Sequence, residues 1–242
     1  LSSAKPYSVK AIKASFGEEK IQDEKHNQWI NYVFIRPVSF HLAALLLNLN
    51  RTSNQIGVFS LIICLFLPFI ALLPFVWAFI FLSVLTFILY LLDDVDGDMA
   101  RASNQVSLKG HYLDFITDVF FRFSLYLTVA LIFYNTTEGS EGISEMIFCL
   151  AGAWLTTAAR LSRVYAKSLQ KADREVYSRT EKKVYGLMDY VFFVVSSLDH
   201  IYPLFFLLVG FLGYGDILVG WIFIYALIDF IFTQISIAKG LS

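Results

Sequence analysis

Residues 93–118 read DDVDGDMARASNQVSLKGHYLDFITD. An apolar run, Phe75 to Leu92, leads into Asp93, Asp96, Gly97, Ala100 and Arg101. A short polar turn follows, and then Gly110, Asp114 and Asp118 open a second apolar run. On a helix turning about 100° per residue, Asp93, Asp96, Gly97, Ala100 and Arg101 share one broad face. Asp98 points off that face, and Asp94 lies at its margin. In the next helix Gly110, Asp114 and Asp118 stack at four-residue intervals. A helical hairpin would bring four carboxylates together, and such a group cannot all stay ionised at close range. A cation is implied, and hard oxygen ligands select Mg²⁺, Mn²⁺ or Ca²⁺ rather than zinc. Gly97, Ala100 and Gly110 leave the backbone open to a large ligand, and Arg101 suits a phosphate through paired hydrogen bonds.

Working outward, the 242 residues are 57% hydrophobic and only 16% charged, where a soluble domain carries about 25% charge. The chain reads as an all-α integral membrane protein. Spans of roughly 20 apolar residues cross a bilayer, and six are expected: Gln55–Leu73, Phe75–Leu92, Leu108–Tyr134, Ile143–Ala159, Tyr185–Leu212 and Ile217–Ile237. Tyr32–Asn50 carries Arg36, His41, Asn48 and Asn50 among apolar residues and reads as an interfacial amphipathic helix. The expected organisation is residues 1–54 as a cytosolic segment with that helix, and 55–242 as a six-span domain. No cleavable signal peptide is expected. Cys64 and Cys149 fall in apolar spans without metal-ligand spacing. A net charge of −1 with no basic stripe gives no case for nucleic acid.

Lys and Arg set the orientation. Arg101 and Lys109 lie between spans two and three, and Arg160, Arg163, Lys167, Lys171, Arg174, Arg179, Lys182 and Lys183 between four and five. The opposite loops hold neither residue. Both termini and the acidic hairpin are therefore expected in the cytosol.

The pattern Asp93-x2-Asp96-Gly97-x2-Ala100-Arg101-x8-Gly110-x3-Asp114-x3-Asp118 resembles the signature of the CDP-alcohol phosphotransferases. Arg36-Pro37 followed by Thr52-Ser53-Asn54 is similar to that family's interfacial helix and Thr-Pro-Asn turn, with Ser53 in place of proline. Arg179-x-Glu181-Lys182 is similar to its Arg-x-Glu-Arg before span five, with Lys182 departing. The resemblance implies a CDP-linked donor, commonly CDP-diacylglycerol, attacked by the hydroxyl of a second alcohol with loss of CMP. It implies two Mg²⁺ or Mn²⁺ ions on Asp93, Asp96 and Asp114, with Asp118 completing the second site or acting as base. Asp114 and Asp118 would then be the catalytic pair, and Gly97, Ala100, Arg101 and Gly110 would line the nucleotide pocket. A homodimer in a bacterial inner membrane is the further expectation.

Arg160, Arg163 and Lys167 share one face of the extension of span four, and Arg179 precedes span five. Arg160, Arg163 and Arg179 form a candidate anion pocket for a phosphorylated acceptor such as inositol phosphate or glycerol 3-phosphate. Positive loops also serve topology alone. His200 is expected towards the outer half of span five. Two rival readings are an intramembrane prenyltransferase binding Mg²⁺-diphosphate and a cation transporter using its span acids, Glu145, Asp189, Asp199 and Asp229.

Overall fold

Helices account for all the regular structure of the described residues, which in the computed structural model are 7–17, 21–22, 24–25, 28–137, 139–177 and 198–241. Helix α1, Val9–Phe16, is capped by the Ser8 hydroxyl, which accepts from the Ala11 amide. A π-helical turn, Asn31–Ile35, runs into α2, Arg36–Asn48, with proline in its first turn, where a missing N–H is harmless. Thr52 and Gln55 form a reciprocal capping box for α3, Ser53–Phe66. A 3₁₀ turn, Leu67–Leu72, prolongs α3.

Pro74 ends that segment and opens α4, Phe75–Ala102. Hydropathy suggests a stop at Leu92, but no glycine pair or proline interrupts the acids, and the helix carries them to Ala102. Asn104 turns the chain at φ 54°, and the Ser107 hydroxyl, accepting from the Gly110 amide, starts α5, Leu108–Thr136. Helix α6 is Ser140–Tyr177. A 3₁₀ turn, Leu198–Ile201, precedes α7, Tyr202–Leu212, which ends at Gly213 in the left-handed region. Helix α8 is Gly215–Leu241.

Among the described residues five segments are long and apolar enough to cross a membrane: Ser53–Leu72, Phe75–Ala102, Leu108–Thr136, Ser140–Leu169 and Gly215–Lys239. Helix α7 is apolar but shorter. It is the described end of the expected span Tyr185–Leu212, whose residues 185–197 lie outside the described set. Arg179, Glu181, Lys182 and Lys183 lie outside it as well. Large apolar side chains, among them Trp77, Phe81, Trp154 and Ile224, face outward, as lipid rather than water requires.

Helix α6 packs along α5 and α8, α3 lies against α4 and α5, and α7 packs on α4. Gly210 permits the last contact, since a Cβ there would lie 2.9 Å from that of Phe79. One apolar core gathers Phe79, Leu82, Tyr126, Phe206 and Ile222. A second joins Ile12, Phe16 and Phe40 to Leu92, Val95 and Met99. That second core clamps α1 and α2 onto the acid-bearing end of α4, and so fixes one wall of the site.

Candidate active site

Two cavities meet at the end of α4. The larger, about 580 Å³, is lined by Asp93, Asp96, Gly97, Ala100 and Arg101 of α4 and by Gly110 and Asp114 of α5. Ser53, Asn54 and Gly57 of α3 complete it, with Gln105 and Ser107 from the turn and Glu24, Gln28 and Arg36 from the N-terminal segment. The smaller, about 190 Å³, is lined by Asp118, Thr117 and Arg122 of α5, Arg160 of α6, and Tyr90 and His200. Asp93 and Asp96 belong to both. The structure thus gathers seven of the eight signature residues on one cavity and puts Asp118 on its neighbour.

Asp93 and Asp114 are exposed to the cavity. Asp93 lies within electrostatic range of Asp96, Asp114 and Asp118, and Asp96 within range of Asp114 and Arg101. Among the described residues Asp93, Asp96 and Asp114 make no ion pair with Lys or Arg. No three His, Cys, Asp or Glu side chains of the described set converge as a finished metal cage. Three carboxylates that make no ion pair among the described residues nonetheless fit hard divalent cations in their donor chemistry.

The small residues have local reasons. A Cβ on Gly97 would come within 3.2 Å of a guanidinium nitrogen of Arg101, which folds back over this turn. One on Gly110 would meet its capping partner Ser107 Oγ at 3.3 Å and Asn54 Oδ1 at 3.4 Å. Arg101 donates from Nη2 to Asp98 at 2.7 Å, while its buried Nε lacks a hydrogen-bond partner. A buried donor left unmade is costly, and the Arg101 side chain as a whole lines the larger cavity.

Asp118 is held at Oδ1 by Arg122 Nε, 3.2 Å away, and at Oδ2 by Arg160 Nε, 2.6 Å away. Arg163, one turn beyond Arg160, turns instead to α8, where it donates to Asp229 at 2.6 and 3.3 Å and to Thr233 at 2.8 Å. Arg179 lies outside the described residues. His200 corrects its expected place: α7 runs antiparallel to α4, with Ser83 donating to the Pro203 carbonyl. The histidine ring therefore packs 4.8 Å from that of Tyr90, three residues before Asp93.

Asp94 and Asp98, which the helical projection sets aside, are 7% and 1% exposed. Both bind Arg36, at 2.7 and 3.1 Å. Glu24 binds the same guanidinium, and Asn31 Nδ2 reaches Asp94 at 3.2 Å. Burial works against the Arg36 charge, but the carboxylates of Asp94, Asp98 and Glu24 outweigh it and hold the pKa above its ordinary value. Sequence spacing carries no signal for this cluster, whose partners lie up to 63 residues apart.

A profile of the CDP-alcohol phosphatidyltransferases matches residues 51–227. The chain belongs to the CDP-alcohol phosphatidyltransferase family. No curated protein matches the sequence. Membership makes the protein a phosphotransferase with a CDP-alcohol donor and an alcohol acceptor, and its apolar helices make it an integral membrane enzyme. The prenyltransferase and transporter readings fall with that. Asp229, one of the span acids the transporter reading needs, is paired with Arg163.

Proposed function

We propose that this family member transfers a phosphatidyl group from CDP-diacylglycerol to a hydroxyl of a polar, phosphorylated acceptor, either inositol phosphate or glycerol 3-phosphate, and releases CMP. The observation that carries the reading is the shared wall, Asp93 and Asp96, between two cavities of unlike character. In the larger, Gly97, Ala100 and Gly110 admit the nucleotide and Arg101 brings its guanidinium charge to the diphosphate. In the smaller, Arg160 and Arg122 offer positive charge to the acceptor's phosphate.

Asp93, Asp96 and Asp114 would hold two Mg²⁺ or Mn²⁺ ions, with Asp118 near the second. When bound, such ions neutralise the diphosphate and the charge developing on attacking and leaving oxygens. The acceptor oxygen forms a bond to the phosphorus bearing the lipid, and the phosphorus–oxygen bond to CMP breaks. We assign Asp118 to take the hydroxyl proton at a carboxylate oxygen; a share in the second cation site is its other role.

In the membrane we take α3, α4, α5, α6, the segment ending in α7, and α8 as six spans. Phe34, Val38, Leu45 and Leu49 lie exposed along one side of the preceding turn and α2, which supports an interfacial position for that helix. The Lys and Arg distribution puts the site on the cytosolic side. The test is CMP release by purified protein given CDP-diacylglycerol, Mg²⁺ and a panel of acceptors. Turnover with a phosphorylated acceptor, lost in Asp96→Asn, is expected. No CMP with any acceptor, or full activity in Asp96→Asn, refutes the reading.

A further inference from the structure

Residues 7–50 precede the stretch that matches the family, 51–227, yet they reach the wall of the larger cavity. Arg36, 3% exposed, donates from Nη1 to Asp98 Oδ1 at 3.1 Å and from Nε to Glu24 at 2.9 Å. The same Asp98 oxygen accepts Arg101 Nη2 at 2.7 Å, and its other oxygen accepts Ser39 at 2.9 Å. The Phe16 ring of α1 lies 4.6 Å from the Arg36 guanidinium and 5.2 Å from that of Arg101. As a device for stability alone this cluster is poor, because desolvating several charges costs more than packing apolar groups in the same space. What it achieves geometrically is to fix the buried side of Arg101.

We propose that Arg36 and Asp98 are positioning residues for the donor site: the N-terminal segment, through Arg36, pins Asp98, and Asp98 aims the Arg101 guanidinium into the larger cavity. This rests on the reading above that Arg101 binds the donor diphosphate. An arginine has several rotatable bonds, and one held in its binding geometry loses less freedom when the ligand arrives. Released from Asp98, Arg101 retains its charge but not its aim. The effect falls first on donor affinity, because the arginines of the acceptor cavity, Arg122 of α5 and Arg160 of α6, are held by Asp118 and not by Asp98.

The experiment titrates CDP, with Mg²⁺ present, into the full chain and its variants, alongside the KM values for donor and acceptor. Arg101→Ala is expected to weaken CDP binding by about tenfold or more, as loss of charge-assisted hydrogen bonds does. Asp98→Asn and Arg36→Met are each expected to weaken it by about three- to tenfold, with acceptor KM held within about twofold. The Arg36→Met, Arg101→Ala double variant should bind no worse than Arg101→Ala, because residues acting through one group are not additive. Phe16→Leu leaves every charge paired and should cost about two- to threefold through the lost cation–π contact.

An additive loss in the double variant overturns the proposal, since it assigns Arg36 a role independent of Arg101. Unchanged CDP affinity in Asp98→Asn and Phe16→Leu, with Arg101→Ala impaired, overturns it even where Arg36→Met fails to fold. Full CDP affinity in Arg101→Ala is a different result: the donor reading of Arg101 then fails, and the proposal with it.

Discussion

Arg160 and Arg163 are one turn apart on α6 and look equivalent in sequence, but substitution should separate them. Arg163→Ala removes the counter-charge of Asp229, whose side chain is 9% exposed, while the Arg163 side chain itself is 24% exposed. Breaking a fully buried pair costs about 3–5 kcal/mol, and partial exposure of the arginine brings the figure towards about 2–3 kcal/mol. For a chain of this length that corresponds to a melting midpoint lower by roughly 5–10 °C. The assay is a thermal melt of the detergent-solubilised protein, run beside acceptor kinetics on the fraction that remains folded. Arg163→Met combined with Asp229→Leu should recover most of the loss, because an apolar pair of similar volume needs no desolvation. A parental melting curve for Arg163→Ala, together with an acceptor KM raised as far as in Arg160→Ala, would refute the reasoning and move Arg163 to the substrate side.

Arg160→Ala should raise acceptor KM by about tenfold, the value of a charge-assisted contact, while CDP affinity stays within about twofold; equal loss for both substrates would contradict the division into two cavities. Gly97→Ala sets a Cβ 3.2 Å from the Arg101 guanidinium and makes that group give by a few tenths of an ångström. Donor kcat/KM should fall by about three- to tenfold, read from initial rates at low donor, and an unchanged value would count against the fold-back of Arg101. Chelation with EDTA should abolish CMP release and added Mg²⁺ should restore it, whereas steady turnover in chelator would remove the cation from the mechanism.

The hairpin was legible because its information is local. Three- and four-residue spacing puts Asp93, Asp96, Gly97, Ala100 and Arg101 on one face, and all five do line one cavity. Asp94 and Asp98 fall off that face by the same spacing. The spacing does not reveal that their side of α4 is covered by α1 and α2 rather than solvent. Burial of those two acids depends on Arg36, some 60 residues earlier, and a pairing over that distance leaves no periodic trace. Arg160 and Arg163 show the same limit, since a shared helical face fixes direction only to within the neighbours available, here α5 for one and α8 for the other. Hydropathy found the apolar part of the five long described helices but not the polar extensions of α4 and α6, where helix propensity continues after hydrophobicity ends.

The charges around the site divide by what surrounds them. Glu24, Asp94 and Asp98 are matched by Arg36, with Arg101 also on Asp98. Asp118 is matched by Arg122 and Arg160. Asp93, Asp96 and Asp114 face cavity space with no basic partner among the described residues. Exchanging the members of these groups would not conserve function even though each is an aspartate. An acid at the Asp98 position sits behind the cavity wall, and one at the Asp94 position faces Arg36, so both already have their positive charge in place. Of the signature's four carboxylates, Asp93, Asp96 and Asp114 make no ion pair among the described residues, while Asp118 is held by two arginines. The first three give the site its demand for cations, and the matched ones hold still the arginines that would meet the phosphates.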